Sequence, residues 1–184
     1  MKRDEKKEND PIYGHNTLEF VTVALEFCSF VETAGEKSLF DFVDKAVKLL
    51  PLLYLKATLL PVVEPDEDVT PELTVTEEMY ESVRTRIAGL LGERDSFLET
   101  FHPDMPYSDT PIAAFISESL ADVYQDVGNF VSLFRGGYEE VMLRSVALCQ
   151  TNFKEFWGQQ LLNALKAIHS IRYGEDEIIE MNEE

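Results

Sequence analysis

The sequence predicts an all-α fold, an antiparallel bundle of five to six amphipathic helices, on three observations. Apolar residues return at spacings of three and four through most of the chain, no run alternates convincingly with period two, and glycines and prolines cut the pattern into pieces of helical length. Internal repeats and low-complexity tracts are absent. At 184 residues, 45% hydrophobic and 28% charged, the chain suits one domain with a substantial core. The expected division is a disordered charged tail over 1–11, a single helical-bundle domain over 12–174 and an acidic tail over 175–184.

From Thr17 to Glu32 only Glu19, Thr22, Glu26 and Ser29 interrupt the apolar residues, and they fall on one narrow stripe. A helix wet on so thin a strip is mostly buried, and Asn16 or Thr17 can cap it. Gly35 breaks the pattern. Ser38 caps the next helix, whose polar face is Asp41, Asp44, Lys45 and Lys48, and Pro51 predicts a kink or restart before a continuation over Leu52–Leu60. The acidic, proline-bearing stretch from Pro61 to Thr74 reads as a surface connection. Thr76, with Glu77 and Glu78 behind it, caps a third helix that ends at Gly92. A short helical turn is expected at Ser96 to Phe101, followed by a polar, proline-rich loop. Asp109 or Thr110 then caps a helix with Pro111 in its first turn, and this helix runs to Phe134 and stops at Gly136-Gly137. The last periodic region, from Glu139 to Gly174, is long enough to be split at Thr151-Asn152 or at Gly158. The first two helices are expected at the bundle's centre.

Sixteen basic against 35 acidic residues leave a net charge of −19. Such a surface repels phosphate backbones and anionic membranes, so nucleic acid and membrane partners are disfavoured, while basic partners and divalent cations are favoured. The polar first dozen residues carry no export signal and the greasiest run, Leu49 to Leu55, is too short to span a bilayer, so the expected address is the cytoplasm. Cys28 and Cys149 sit among apolar neighbours and read as buried reduced thiols. His15, His102 and His169 are isolated from one another, and no nucleophile elbow, phosphate loop or dinucleotide fingerprint is present. No catalytic residue and no cofactor is assigned.

The feature that stands out is a run of carboxylates every fourth residue, Glu118, Asp122 and Asp126, extended by Asn129, within an otherwise apolar helix. Residues four apart stack on one helical face, so this ladder is expected to lie on the outward side. Its first reading is a face that is either simply solvated or turned to a basic protein partner. The alternative is a divalent-metal site for hydrolysis of a phosphorylated small molecule, with Glu78 or Glu81 completing the shell. Glu78-x-x-Glu81 resembles the first half of the motif of all-α nucleotide pyrophosphohydrolases, although Glu118-x-x-x-Asp122 departs from the Glu-x-x-Asp of the second half. Phe153, Phe156 and Trp157 are spaced for core packing, with a binding platform as the lesser reading. Gly158, costly within a helix, implies a close approach of a neighbouring helix.

Ser117-Glu118-Ser119-Leu120-Ala121-Asp122-Val123-Tyr124-Gln125-Asp126-Val127 resembles an element of an uncharacterised bacterial family known only as domain-of-unknown-function family 5063. Phe156-Trp157-Gly158-Gln159-Gln160 and Ala164 to His169 resemble a second element of that family, in which histidines flank Trp-Gly; here Phe156 and Gln160 stand in their places. The resemblance implies an all-α bacterial cytoplasmic protein and brings no activity. It adds Tyr124, Trp157 and Gly158 to Asp122 and Asp126 as lining of one groove between the last two long helices. The expected function is therefore a non-catalytic interaction protein whose site is Glu118, Asp122, Tyr124, Asp126, Asn129, Trp157 and Gly158, with a second copy of the chain as another candidate partner.

Overall fold

In the computed structural model, which describes residues 10–64, 70–99 and 112–174, the helical spacing of the sequence becomes six α-helices among the described residues. They are α1 (His15–Glu32), α2 (Leu39–Thr58), α3 (Glu77–Leu91), α4 (Ile116–Arg135), α5 (Glu139–Asn152) and α6 (Gly158–Tyr173). The tails at 1–9 and 175–184 and most of the expected proline-rich loop lie outside the described residues. Ser38 and Thr76 cap as the sequence implies, accepting from the Asp41 amide at 3.0 Å and the Met79 amide at 3.2 Å. The first helix differs: its N-cap is Gly14, and Thr17 lies inside it, donating to the Pro11 carbonyl at 3.0 Å. Pro51 does not force a restart: α2 is helical throughout, with Pro51 on its exposed side and Leu50 and Leu53 buried around it holding the turn that the missing amide weakens.

Two short strands replace expected helix. Ser96–Leu98 (β1) pairs antiparallel with Ala113–Phe115 (β2), Phe97 opposite Ala114. The expected turn at Ser96 is thus strand, and α4 starts at Ile116 rather than at Pro111. Three-residue strands are too short for alternation to show in a sequence. The start of α4 is fixed from a distance by Asp95, 7% exposed, whose carboxylate accepts from the Ser117 amide at 2.8 Å and the Ser117 hydroxyl at 2.7 Å.

The centre of the bundle is α4, not the first two helices. It packs against α1, α3, α5 and α6, while α2 lies against α1 and α6. Twelve of its twenty residues are buried, so the helix expected to be wet along one side is enclosed on most of its circumference. Phe20 of α1 meets Phe130 of α4 with ring centroids 5.0 Å apart, and Phe30 stacks on Phe42 at 4.7 Å. Gly137, at φ 77°, makes the left-handed turn that folds α5 back on α4.

Between α5 and α6 the chain stays helical but widens into a single π turn, Phe153–Trp157. Such a turn inserts one residue and strands a carbonyl. Trp157, fully buried, braces the widened turn: its indole Nε1 donates at 3.0 Å to the Cys149 carbonyl, which also accepts from the Phe153 amide. Gly158 follows because nothing larger fits, since a β-carbon there would lie 2.5 Å from the Phe153 carbonyl oxygen. The close approach inferred from Gly158 is therefore real, and it comes from the chain's own π turn rather than from a neighbouring helix. No helix among the described residues is long and apolar enough to cross a membrane.

Candidate functional site

A spacing of four overshoots the 3.6 residues of a helical turn by about 40° per step, so the carboxylate ladder winds around α4 instead of running straight along it. Glu118 is exposed, Asp122 and Asp126 are half-buried and Asn129 is buried. The ladder starts in solvent near α3 and ends in the seam between α4 and α5. The expectation of one outward face is corrected accordingly.

Each of the two middle carboxylates is held by a neutral donor from a neighbouring helix. Tyr80 of α3 donates its hydroxyl to Asp122 Oδ1 at 2.9 Å, and Asn152, the last residue of α5 before the π turn, donates Nδ2 to Asp126 Oδ1 at 2.5 Å. Among the described residues no lysine or arginine forms an ion pair with either aspartate. The sole buried side-chain nitrogen or oxygen without a partner there is Arg144 Nε, so the second oxygens of Asp122 and Asp126 open to solvent. Burial raises the pKa of both aspartates; the neighbouring Glu118 and Asp126 raise that of Asp122 further, and the Tyr80 and Asn152 hydrogen bonds oppose the rise. Tyr80 is pushed up as well, by burial first and by the Asp122 charge second. Burial thus makes the ionised form of each aspartate costly, and no cation among the described residues offsets that cost.

Asp126 opens into a groove of about 260 Å³ between α4 and α5. Asn129, Asn152 and Cys149 share its lining with Asp126, while Leu73, Leu133 and Leu148 make apolar walls. Asn129 also ties in the segment before α3, its side-chain oxygen accepting from the Thr74 amide at 2.8 Å and the Val75 amide at 2.9 Å. Gly128 makes room for this approach, because a β-carbon there would stand 2.9 Å from Val75 Cγ2.

The seven residues singled out in the sequence do not form one surface. Asp122, Asp126 and Asn129 belong to the seam, with exposed Glu118 continuing it. Tyr124 points to another side of α4, donating to Glu32 Oε1 at 2.8 Å, and lines a separate groove with Glu78 and Arg86. Trp157 and Gly158 are buried behind Cys149, supporting the π turn rather than facing a partner; Phe156 is the exposed aromatic there, at 45%. Glu81 pairs with Arg84 at 2.7 Å, so it does not join Glu78 in a shell. Among the described residues no three His, Cys, Asp or Glu side chains converge in a way that could hold a metal ion. The residues the sequence reading missed are Tyr80 and Asn152; a tyrosine within an amphipathic helix and an asparagine at a helix break gave no signal beyond that break.

Both cysteines are free and buried, as expected. Burial, then the nearby Glu32 carboxylate, pushes the Cys28 thiol up to about 12, and burial raises Cys149 too. Neither is a ready nucleophile.

The family described as domain of unknown function (DUF5063) matches residues 11–174. The crystal structure of protein BF1032 from Bacteroides fragilis is similar to this chain with a TM-score of 0.83 at 44% sequence identity, covering 92% of this chain and 100% of that one. Among curated proteins, none is similar to it.

Proposed function

This chain belongs to the family described as domain of unknown function (DUF5063), and we propose that it is a non-catalytic interaction protein that takes a lysine or arginine side chain of a protein partner into the α4–α5 groove. The observation carrying this reading is the pair of half-buried aspartates, each oriented by a neutral donor, each with one oxygen open and neither paired with a cation among the described residues. The groove suits a side chain better than a metabolite, since small-molecule sites usually occupy about 300–1,000 Å³ and this one about 260 Å³. Leucine walls over a carboxylate match the two ends of such a side chain, whose methylene stem packs on apolar surface while its head seeks charge. Asp122 and exposed Glu118 extend the negative strip and speed salt-sensitive encounter. We place the protein in the cytoplasm, where its two thiols stay reduced.

Isothermal titration with pentalysine and pentaarginine tests the reading, with Glu139→Gln/Glu140→Gln removing charge elsewhere as the control. Asp126→Asn is expected to weaken binding about tenfold or more, the scale of one partly buried charged hydrogen bond, and the control to change it little. Equal loss in both variants means that only the overall charge attracts the peptide, which overturns the groove. Millimolar magnesium or manganese is expected to leave the melting temperature unchanged; a rise that Asp122→Asn abolishes would instead support the metal-hydrolase alternative. Sedimentation velocity shows whether a second copy is the partner.

A further inference from the structure

Beside β1 runs a cleft of about 880 Å³ whose opposite wall is the C-terminal half of α6, with Ala167, Ser170 and Ile171 facing Ser96, Phe97 and Leu98 across it. No β2 residue lines this cleft, so it follows the outer edge of the two-stranded sheet. The register shows what that edge offers. The Glu99 amide donates to the Ile112 carbonyl at 2.9 Å, and Phe97 stands opposite Ala114, so residues 97 and 99 turn their backbone groups toward β2. Residue 98 lies between them and residue 96 precedes them, which leaves the Leu98 amide and the Ser96 and Leu98 carbonyls turned away from the sheet. Among the described residues no turn or loop bond engages them. Leu98 is 64% exposed although it sits within a strand.

An unpaired strand edge facing a helix across a cleft is the arrangement in which an added strand finds both backbone partners and side-chain pockets. The charge is also local. Arg94 stands at the cleft, exposed and in no ion pair among the described residues. On a chain of net charge −19 this is a site that attracts an anion.

We propose that the cleft binds an extended segment of a partner protein as a third strand on β1, with an apolar side chain against Phe97 and Ile171 and a carboxylate at Arg94. This surface is distinct from the α4–α5 groove and selects the opposite charge. Its apolar floor includes Ile116, fully buried at the start of α4. The backbone bonds supply affinity that does not depend on sequence, and Arg94 selects acidic segments.

Fluorescence anisotropy with two labelled heptapeptides of alternating valine and threonine, one with a central glutamate and one with a central lysine, tests this. The glutamate peptide is expected to bind at least fivefold tighter than the lysine peptide, and Arg94→Glu to reverse that order. Leu98→Pro removes an amide that β2 does not use, so it is expected to weaken binding about tenfold. N-methylation of the peptide's central amide is expected to do the same with the protein unchanged, which covers the case of a Leu98→Pro chain that fails to fold. No saturable binding of either peptide, or full affinity after methylation, overturns the proposal. So does a dimer in sedimentation that excludes both peptides, because a second copy then fills the cleft.

Discussion

Replacing Gly158 by alanine sets two physical effects against each other with opposite signs. Helix propensity alone favours alanine over glycine by about 1 kcal/mol within a helix. The added β-carbon, however, would lie 2.5 Å from the Phe153 carbonyl oxygen and 2.9 Å from two atoms of the Phe153 ring, whereas ordinary contact begins at 3.4 Å. The ring packs edge-on against Trp157, centroids 4.7 Å apart, and against Tyr54 at 5.1 Å, so it has little room to move; the carbonyl belongs to the backbone and has less. Forcing atoms into packed interiors costs about 1–3 kcal/mol, occasionally more, and a clash with backbone sits at the upper end. The net expectation is a loss of about 2 kcal/mol, or roughly 4–8 °C in melting temperature for a chain of this size. Urea unfolding followed through Trp157, the chain's single tryptophan, measures the change directly. A variant as stable as the parent or more so would refute the claim that the π turn imposes glycine here.

Asp126→Asn is expected to stabilise the protein near neutral pH by up to about 1 kcal/mol, an ordinary size for a point substitution. The folded-state pKa of Asp126 is raised by burial. Between the unfolded and folded values the folded state holds the extra proton, so stability falls as pH rises through that window. An asparagine keeps an acceptor for Asn152 without the charge, and its advantage should vanish on acidification below the ordinary carboxylate range; chemical unfolding at several pH values reads this, and an advantage independent of pH would contradict it. Asp95→Ala leaves the buried Ser117 amide and hydroxyl unpaired and is expected to cost about 2–3 kcal/mol. Amide exchange at the start of α4 should speed up in that variant, and unchanged protection would remove Asp95 as the cap.

The helices were legible because each buries a continuous stripe. The stripe of α1, the Ser38 and Thr76 caps and the glycine stop after α4 follow from local spacing alone. What escaped is non-local. The start of α4 depends on Asp95, 22 residues before the Ser117 it binds, and on a strand pairing too short to leave a period. The place of α4 at the centre depends on which apolar stripes meet, which no single stripe encodes. The ladder was legible as a pattern but not as a surface: whether Asp126 faces water or α5 turns on the 40° drift of a four-residue repeat and on where α5 lies. Asn152 and Tyr80 escaped for the same reason, because a hydrogen bond between helices leaves no trace in the periodicity of either.

The central claim is that Asp126 receives a cation beside Asn152. The side-chain amide resonances of Asn152 report on that carboxylate directly, and those of Asn163, which donates to Glu99 at 3.0 Å on another face of the bundle, serve as an internal control. Adding pentalysine to isotope-labelled protein should shift the Asn152 signals saturably while the Asn163 signals stay in place, with no saturable shift in the Asp126→Asn variant. Asn152 signals that remain fixed while binding saturates elsewhere would contradict the account.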